Sequence, residues 1–212
     1  MAPRFDAENL TLDLSVADLL EGPLRSLGFS SRGGYERMWL GQAIHGKYQE
    51  QALETDPSYR REVAISYSFE HRGWKVTVQG RMDGLRRDPD GALVVEEIKS
   101  VRRGAGLPPA VRESYQRQAL LYAWMLSRKE TAPVRAELVL IAIGSDETER
   151  EALEPDFRYL EAAIRRRVNS LLHAWEAERR RAADRHAAAE RLVFPYGEPR
   201  PGQELILAAV ET

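Results

Sequence analysis

Two stretches of the chain alternate between apolar and polar positions with a period of two. Val63, Ile65, Tyr67 and Phe69 alternate with small or polar residues, and after residues 71–73 the same period resumes at Trp74, Val76 and Val78. The interleaved positions there are Lys75, Thr77, Gln79 and Arg81. Side chains two apart share one face of a strand, so this pattern predicts an antiparallel hairpin. RRDPDG at 86–91 supplies proline and Asp-Gly, the chemistry of a turn. A third strand is expected over 92–100, and a wholly apolar one, of the kind buried on both faces, over 136–143.

Helical patterns fill most of the rest. Ser15 is placed to cap a short helix with Val16, Leu19 and Leu20 as its stripe, preceded by an extended segment at 9–14. Gly22-Pro23 breaks that helix, and GFSSRGG at 28–34 reads as a loop. A second helix is expected from about 35 to 53, a third from about 110 to 128, and a long one from 155 to 192 that becomes highly charged after Leu172. The order is helix, helix, hairpin, strand, helix, strand, helix, which predicts an α/β domain with a mixed central sheet. The domain is expected over 1–193, with 194–212 a separate element.

Composition narrows the chemistry. A chain of 212 residues with 43% hydrophobic and 30% charged residues has the make-up of one globular domain. Its net charge of −2 gives no global basic field, so any polyanion must be met by a local patch. The absence of cysteine excludes disulfides, zinc–thiolate sites and a cysteine-ligated iron–sulfur cluster within the chain. No apolar run is long enough to span a bilayer, so no membrane partner and a cytoplasmic location are expected.

The third strand reads Leu93-Val94-Val95-Glu96-Glu97-Ile98-Lys99. Leu93, Val95, Glu97 and Lys99 share a face. Two apolar residues followed by an acid and a base describe a strand that leaves the core and enters a cleft. The hairpin strand before it ends in Asp83, so pairing of the two strands would bring Asp83 and Glu97 together. Two acids and the Ile98 carbonyl make a hard-oxygen site suited to Mg²⁺ or Mn²⁺. Such an ion supplies the charge and the activated water that phosphodiester hydrolysis needs, and a neighbouring lysine stabilises the developing charge. The same Glu97–Lys99 spacing would equally suit an exposed ion pair.

The wider motif settles the choice of expectation. Asp83, then Glu97-Ile98-Lys99 fourteen residues on, then Gln118-x-x-x-Tyr122 resembles the RecB-type branch of the PD-(D/E)XK nucleases. The resemblance implies a restriction-endonuclease-like fold with Asp83, Glu97, Lys99, Gln118 and Tyr122 as catalytic residues. It implies His45, on an upstream helix, as a metal ligand beside Asp83, Glu97 and Ile98. The cofactor implied is Mn²⁺ or Mg²⁺. An iron–sulfur cluster, present in some members, has no ligands here.

Phe194-Pro195-Tyr196 followed by Arg200-Pro201-Gly202-Gln203 resembles the opening of the motor in XPD/DinG-type helicases. That implies a nuclease domain joined to a helicase motor. No phosphate-binding G-x-x-x-x-G-K-[ST] is present, so no nucleotide is expected to bind this chain. Arg32, Lys47, Arg102, Arg103 and Arg117 flank the expected cleft and are candidate phosphate contacts for DNA, which the family resemblance alone makes single-stranded or free-ended. Nothing encodes base readout. The competing expectation is a catalytically idle DNA clamp of the same fold.

Overall fold

The computed structural model describes residues 2–20, 34–102, 107–145 and 147–191. Met1–Val168 forms one compact unit and Asn169–Thr212 a second. The first unit is built on a mixed sheet of seven strands: β1 (Arg4–Asp6), β2 (Thr11–Ser15), β3 (Arg60–His71), β4 (Trp74–Arg87), β5 (Leu93–Arg102), β6 (Val134–Ile143) and β7 (Thr148–Leu153). The order across the sheet is β1-β2-β4-β5-β6-β7, with β3 also paired to β4. The helices are α1 (Val16–Leu19), α2 (Gly34–Thr55), α3 (Pro109–Ser127) and α4 (Phe157–Ala189). This is an α/β fold with a mixed central sheet flanked by helices.

The expected hairpin is present and longer than its apolar pattern. Its strands turn through Arg72 and Gly73, both at positive φ (52° and 80°), the geometry that keeps a two-residue turn in step with strand twist. The turn expected over 86–91 is tighter than its composition indicated. Arg86 and Arg87 still pair with Val94 and Leu93, and only 88–91 reverse the chain, with Gly91 at φ 88°. The extended segment at 9–14 becomes β2, lying parallel to β4. Two strands escaped the pattern: β1 has three residues, and β7 reads Thr-Glu-Arg-Glu-Ala-Leu, an edge strand whose side chains are mostly polar.

Ser15 starts α1 as expected. The Asp18 carboxylate accepts from the Ser15 amide at 2.9 Å and from its hydroxyl at 2.6 Å, tying the first turn back on itself. Two helices cover β5 from opposite sides. Ile44 and Tyr48 of α2 pack on Ile98, Val139 and Ile141, while Tyr115 of α3 lies against Lys99. β5 is therefore buried on both faces: Leu93 through Ile98 are all under 5% exposed, both glutamates at 0%. The strand emerges from the core at Lys99, after the acid rather than at it, so Glu97 is enclosed.

Leu160, Ile164 and Val168, spaced four apart, bury the opening turns of α4. In the second unit the helix carries exposed Glu176, Glu178, Arg180, Arg181 and Asp184, and Arg179 stacks over Trp175 at 4.9 Å. Residues 192–212, with the helicase-like motif, lie outside the described residues, as do 21–33. Among the described residues no helix is long and apolar enough to cross a membrane.

Candidate active site

The site begins where two strands part. β4 and β5 pair from Arg87–Leu93 up to Gly84–Glu96 and then separate, so Asp83 and Glu97 stand at the mouth of a fork. Beyond the last pair the Ile98 amide has no strand partner on the β4 side. The Asp83 carboxylate takes it instead, Oδ2 accepting from the Ile98 amide at 2.8 Å. Both main-chain groups of a strand residue point to the same edge, so the Ile98 carbonyl also faces the fork.

Glu97 is fully enclosed. One of its oxygens is bonded by the Lys99 ammonium, and Oε2 is buried with no hydrogen-bond partner. Burial, with help from Asp83, pushes the Glu97 carboxyl up to about 7 against the opposing pull of Lys99. Burial works to lower the Lys99 ammonium, but Glu97 and Asp83 outweigh it and raise the lysine above its ordinary value. The ammonium also lies 5.3 Å from the centre of the Tyr115 ring.

α2 closes the fork from one side through residues four apart. His45 has a buried Nε2 without a partner, and burial lowers its imidazole below the usual range despite Asp83 and Glu62. One turn on, the Gln49 amide donates to the Asp83 carbonyl at 2.8 Å and to Glu62 at 3.4 Å. Gly41, one turn back, lies close to β5: a Cβ there would stand 3.2 Å from the Ser100 hydroxyl, which would have to give by a few tenths of an ångström.

α3 closes the other side. Tyr122 is buried, hydrogen-bonded to Gln118 and to the Arg81 backbone, and raised in pKa by burial and by Glu97. Its ring occupies the space a side chain would take at Gly80, where a Cβ would lie 2.7 Å from a ring carbon. Thus His45, Asp83, Glu97, Ile98, Lys99, Gln118 and Tyr122 are gathered around one fork. Among the described residues, however, no three His, Asp or Glu side chains are drawn close enough to form a ready-made cation site.

The candidate phosphate contacts are less uniform. Lys47 is exposed on α2. Arg117 is exposed on α3, with its guanidinium engaged by Glu113 at 2.6 Å. Arg102 ends β5, and Arg32 and Arg103 lie outside the described residues.

Three residues near the fork were missed. Gln49 was legible only as the position one turn after His45. Glu62 sits opposite Asp83 at a gap in the β3–β4 ladder, with φ of 53° and an ion pair to Arg81 at 2.9 Å, and no sequence signal marks it. Glu96 faces α2, away from Glu97, and had no assigned role. It anchors an ionic stripe across four strands: Arg86 at 3.0 Å, Arg150 at 2.9 Å and the Tyr48 hydroxyl at 3.0 Å, with Glu137 bonded by Arg150 at 2.7 Å.

This fold and this fork define a restriction-endonuclease-like domain. The family model described as "PD-(D/E)XK nuclease superfamily" matches residues 5–191, and the chain belongs to that superfamily. Its members generally use divalent metals such as Mg²⁺ or Mn²⁺. Among solved structures, the chain is similar to the crystal structure of SSO0001, at 22% identity and a TM-score of 0.51, covering 81% of this chain and 79% of that one. That likeness is one of fold. A protein from Eubacterium rectale described as a candidate exonuclease matches at 11% identity and a TM-score of 0.45, over 74% of this chain and 61% of that chain. No curated protein matches the chain.

Proposed function

We propose that the domain is a RecB-type, divalent-metal-dependent deoxyribonuclease that hydrolyses phosphodiester bonds without sequence preference, on single-stranded or free-ended DNA. The observation that carries this reading is a pair of buried orphans beside Asp83: Glu97 Oε2 and His45 Nε2, polar atoms enclosed by the protein with no hydrogen-bond partner. Leaving such groups unmet is costly, and a cation would meet both.

The donors fit that cation. Asp83, Glu97 and the Ile98 carbonyl are hard oxygens, and a His45 held neutral by burial offers a nitrogen more congenial to Mn²⁺ than to Mg²⁺. A bound divalent ion supplies charge neutralisation and an activated water. Lys99, kept charged by its two acidic neighbours, stabilises charge developing on the phosphate. Gln118 and Tyr122 fix the wall of the groove that orients the scissile bond. On this reading Lys47, Arg32, Arg102, Arg103 and Arg117 serve as phosphate contacts, which carry no sequence information. The motif at 194–203 supports a helicase motor as the covalent partner.

The test is cleavage of labelled single-stranded DNA by the purified chain. Product formation with Mn²⁺ or Mg²⁺, abolished by chelator and by Asp83→Asn, is expected. Tight binding of DNA with no product under any metal would contradict the reading and favour an idle clamp.

A further inference from the structure

We infer that Gln49 is a positioning residue: it holds Asp83 at the fork and thereby sets the affinity of the proposed cation site, an inference that rests on the metal-dependent reading above. The β3–β4 ladder runs from His71–Trp74 to Arg60–Leu85 but omits Glu62 and Asp83. A strand carbonyl at such a gap must find another donor or remain unmet. For Asp83 that donor is the side-chain amide of Gln49, at 2.8 Å, from a residue only 4% exposed. The same amide reaches Glu62 at 3.4 Å, so both members of the broken pair are held from α2.

The two ends of Asp83 then act as one lever. Its carbonyl is held by Gln49 and its carboxylate holds the Ile98 amide at 2.8 Å. Movement at the first bond shifts the second, and with it the carboxylate and the Ile98 carbonyl. Gly41, His45 and Gln49 lie at successive four-residue steps on one face of α2, so the register of a single rigid helix sets the places of His45 and Asp83 together. Outer partners of this kind commonly alter metal affinity about 10- to 100-fold when removed.

The test uses the full chain with Gln49→Met, which keeps the side chain's size but removes its donors, and Gln49→Ala as a second variant. Two readouts are needed: Mn²⁺ affinity by titration calorimetry, and exchange of the Ile98 amide by NMR in metal-free protein. The expected result is Mn²⁺ binding at least about tenfold weaker, with faster exchange at Ile98 while Val95 and Val139 stay protected. A purely packing role would loosen all three amides alike and leave the affinity of the folded protein unchanged. Wild-type Mn²⁺ binding with unaltered affinity in both variants overturns this inference alone. Failure of the wild type to bind Mn²⁺ overturns the proposed function and this inference together.

Discussion

The carboxylate of Asp83 accepts the backbone amide of Ile98 at 2.8 Å, where β4 and β5 have ceased to pair. A side chain thus does the work of a missing strand bond. In doing so it fixes an acid, a second acid one residue before Ile98, and a main-chain carbonyl around the same opening. The electrostatics of that opening are unfavourable in the metal-free protein, and several consequences can be measured.

Glu97 should make metal-free stability fall as pH rises. Its carboxyl is raised from 4.5 to about 7, so the folded state holds a proton that the unfolded state has released. The stability gained is fully present below about pH 4.5 and lost as pH climbs through 7, on the order of 3 kcal/mol for a fully buried group. His45, with its lowered pKa, acts oppositely, losing stability as pH drops below 6.5. Melting curves in chelator at pH 5 and pH 8 for wild type and Glu97→Gln separate the two. The wild type should lose more than the variant, and Mn²⁺ at pH 8 should recover the difference.

Neighbouring glutamates should behave in opposite ways. Glu96→Ala leaves Arg86 and Arg150 without their shared buried partner and should cost about 3 kcal/mol in urea unfolding. The folded fraction should still bind Mn²⁺ normally. Glu97→Gln should abolish cleavage and Mn²⁺ binding with far less loss of stability.

Lys99→Met should separate chemistry from metal binding. The ammonium now occupies one oxygen of Glu97. Its removal should lower kcat by about 10²–10³-fold, as loss of a transition-state donor does, while Mn²⁺ affinity holds or tightens. Calorimetry beside single-turnover cleavage gives both numbers, and a parallel loss of affinity would assign Lys99 a structural role instead.

Gly80→Ala should act through Tyr122. The added Cβ would lie 2.7 Å from the ring and 3.2 Å from a Val16 methyl, so the ring must move. Overpacking of this kind costs about 1–3 kcal/mol. Cleavage should fall further than the stability loss explains if, as proposed, the displaced ring also forms the groove wall.

The pattern of apolar positions made the hairpin, β5, β6 and the helices legible, and the spacing of Asp83, Glu97 and Lys99 pointed to the candidate site. Each of those signals is local. What stayed hidden depends on tertiary pairing. β7 is an edge strand whose Glu149 and Glu151 pair with Arg112 of α3, so its sequence shows charge where a strand pattern shows alternation. Glu96 carried no visible role because its partners come from β4, β7 and α2. Gln49 acquires its role only from a gap in a ladder between other strands. The burial of Glu97 followed from helices on both sides of β5, which a single strand's pattern does not report.

Asp83, Glu97 and the Ile98 carbonyl are proposed to share a divalent ion. Anomalous scattering from a crystal soaked in Mn²⁺ addresses it directly. One strong manganese peak is expected in the fork, within coordination distance of both carboxylates and that carbonyl, with His45 beside it. A well-ordered fork without a peak at saturating Mn²⁺, or a peak bound elsewhere on the chain, would contradict it.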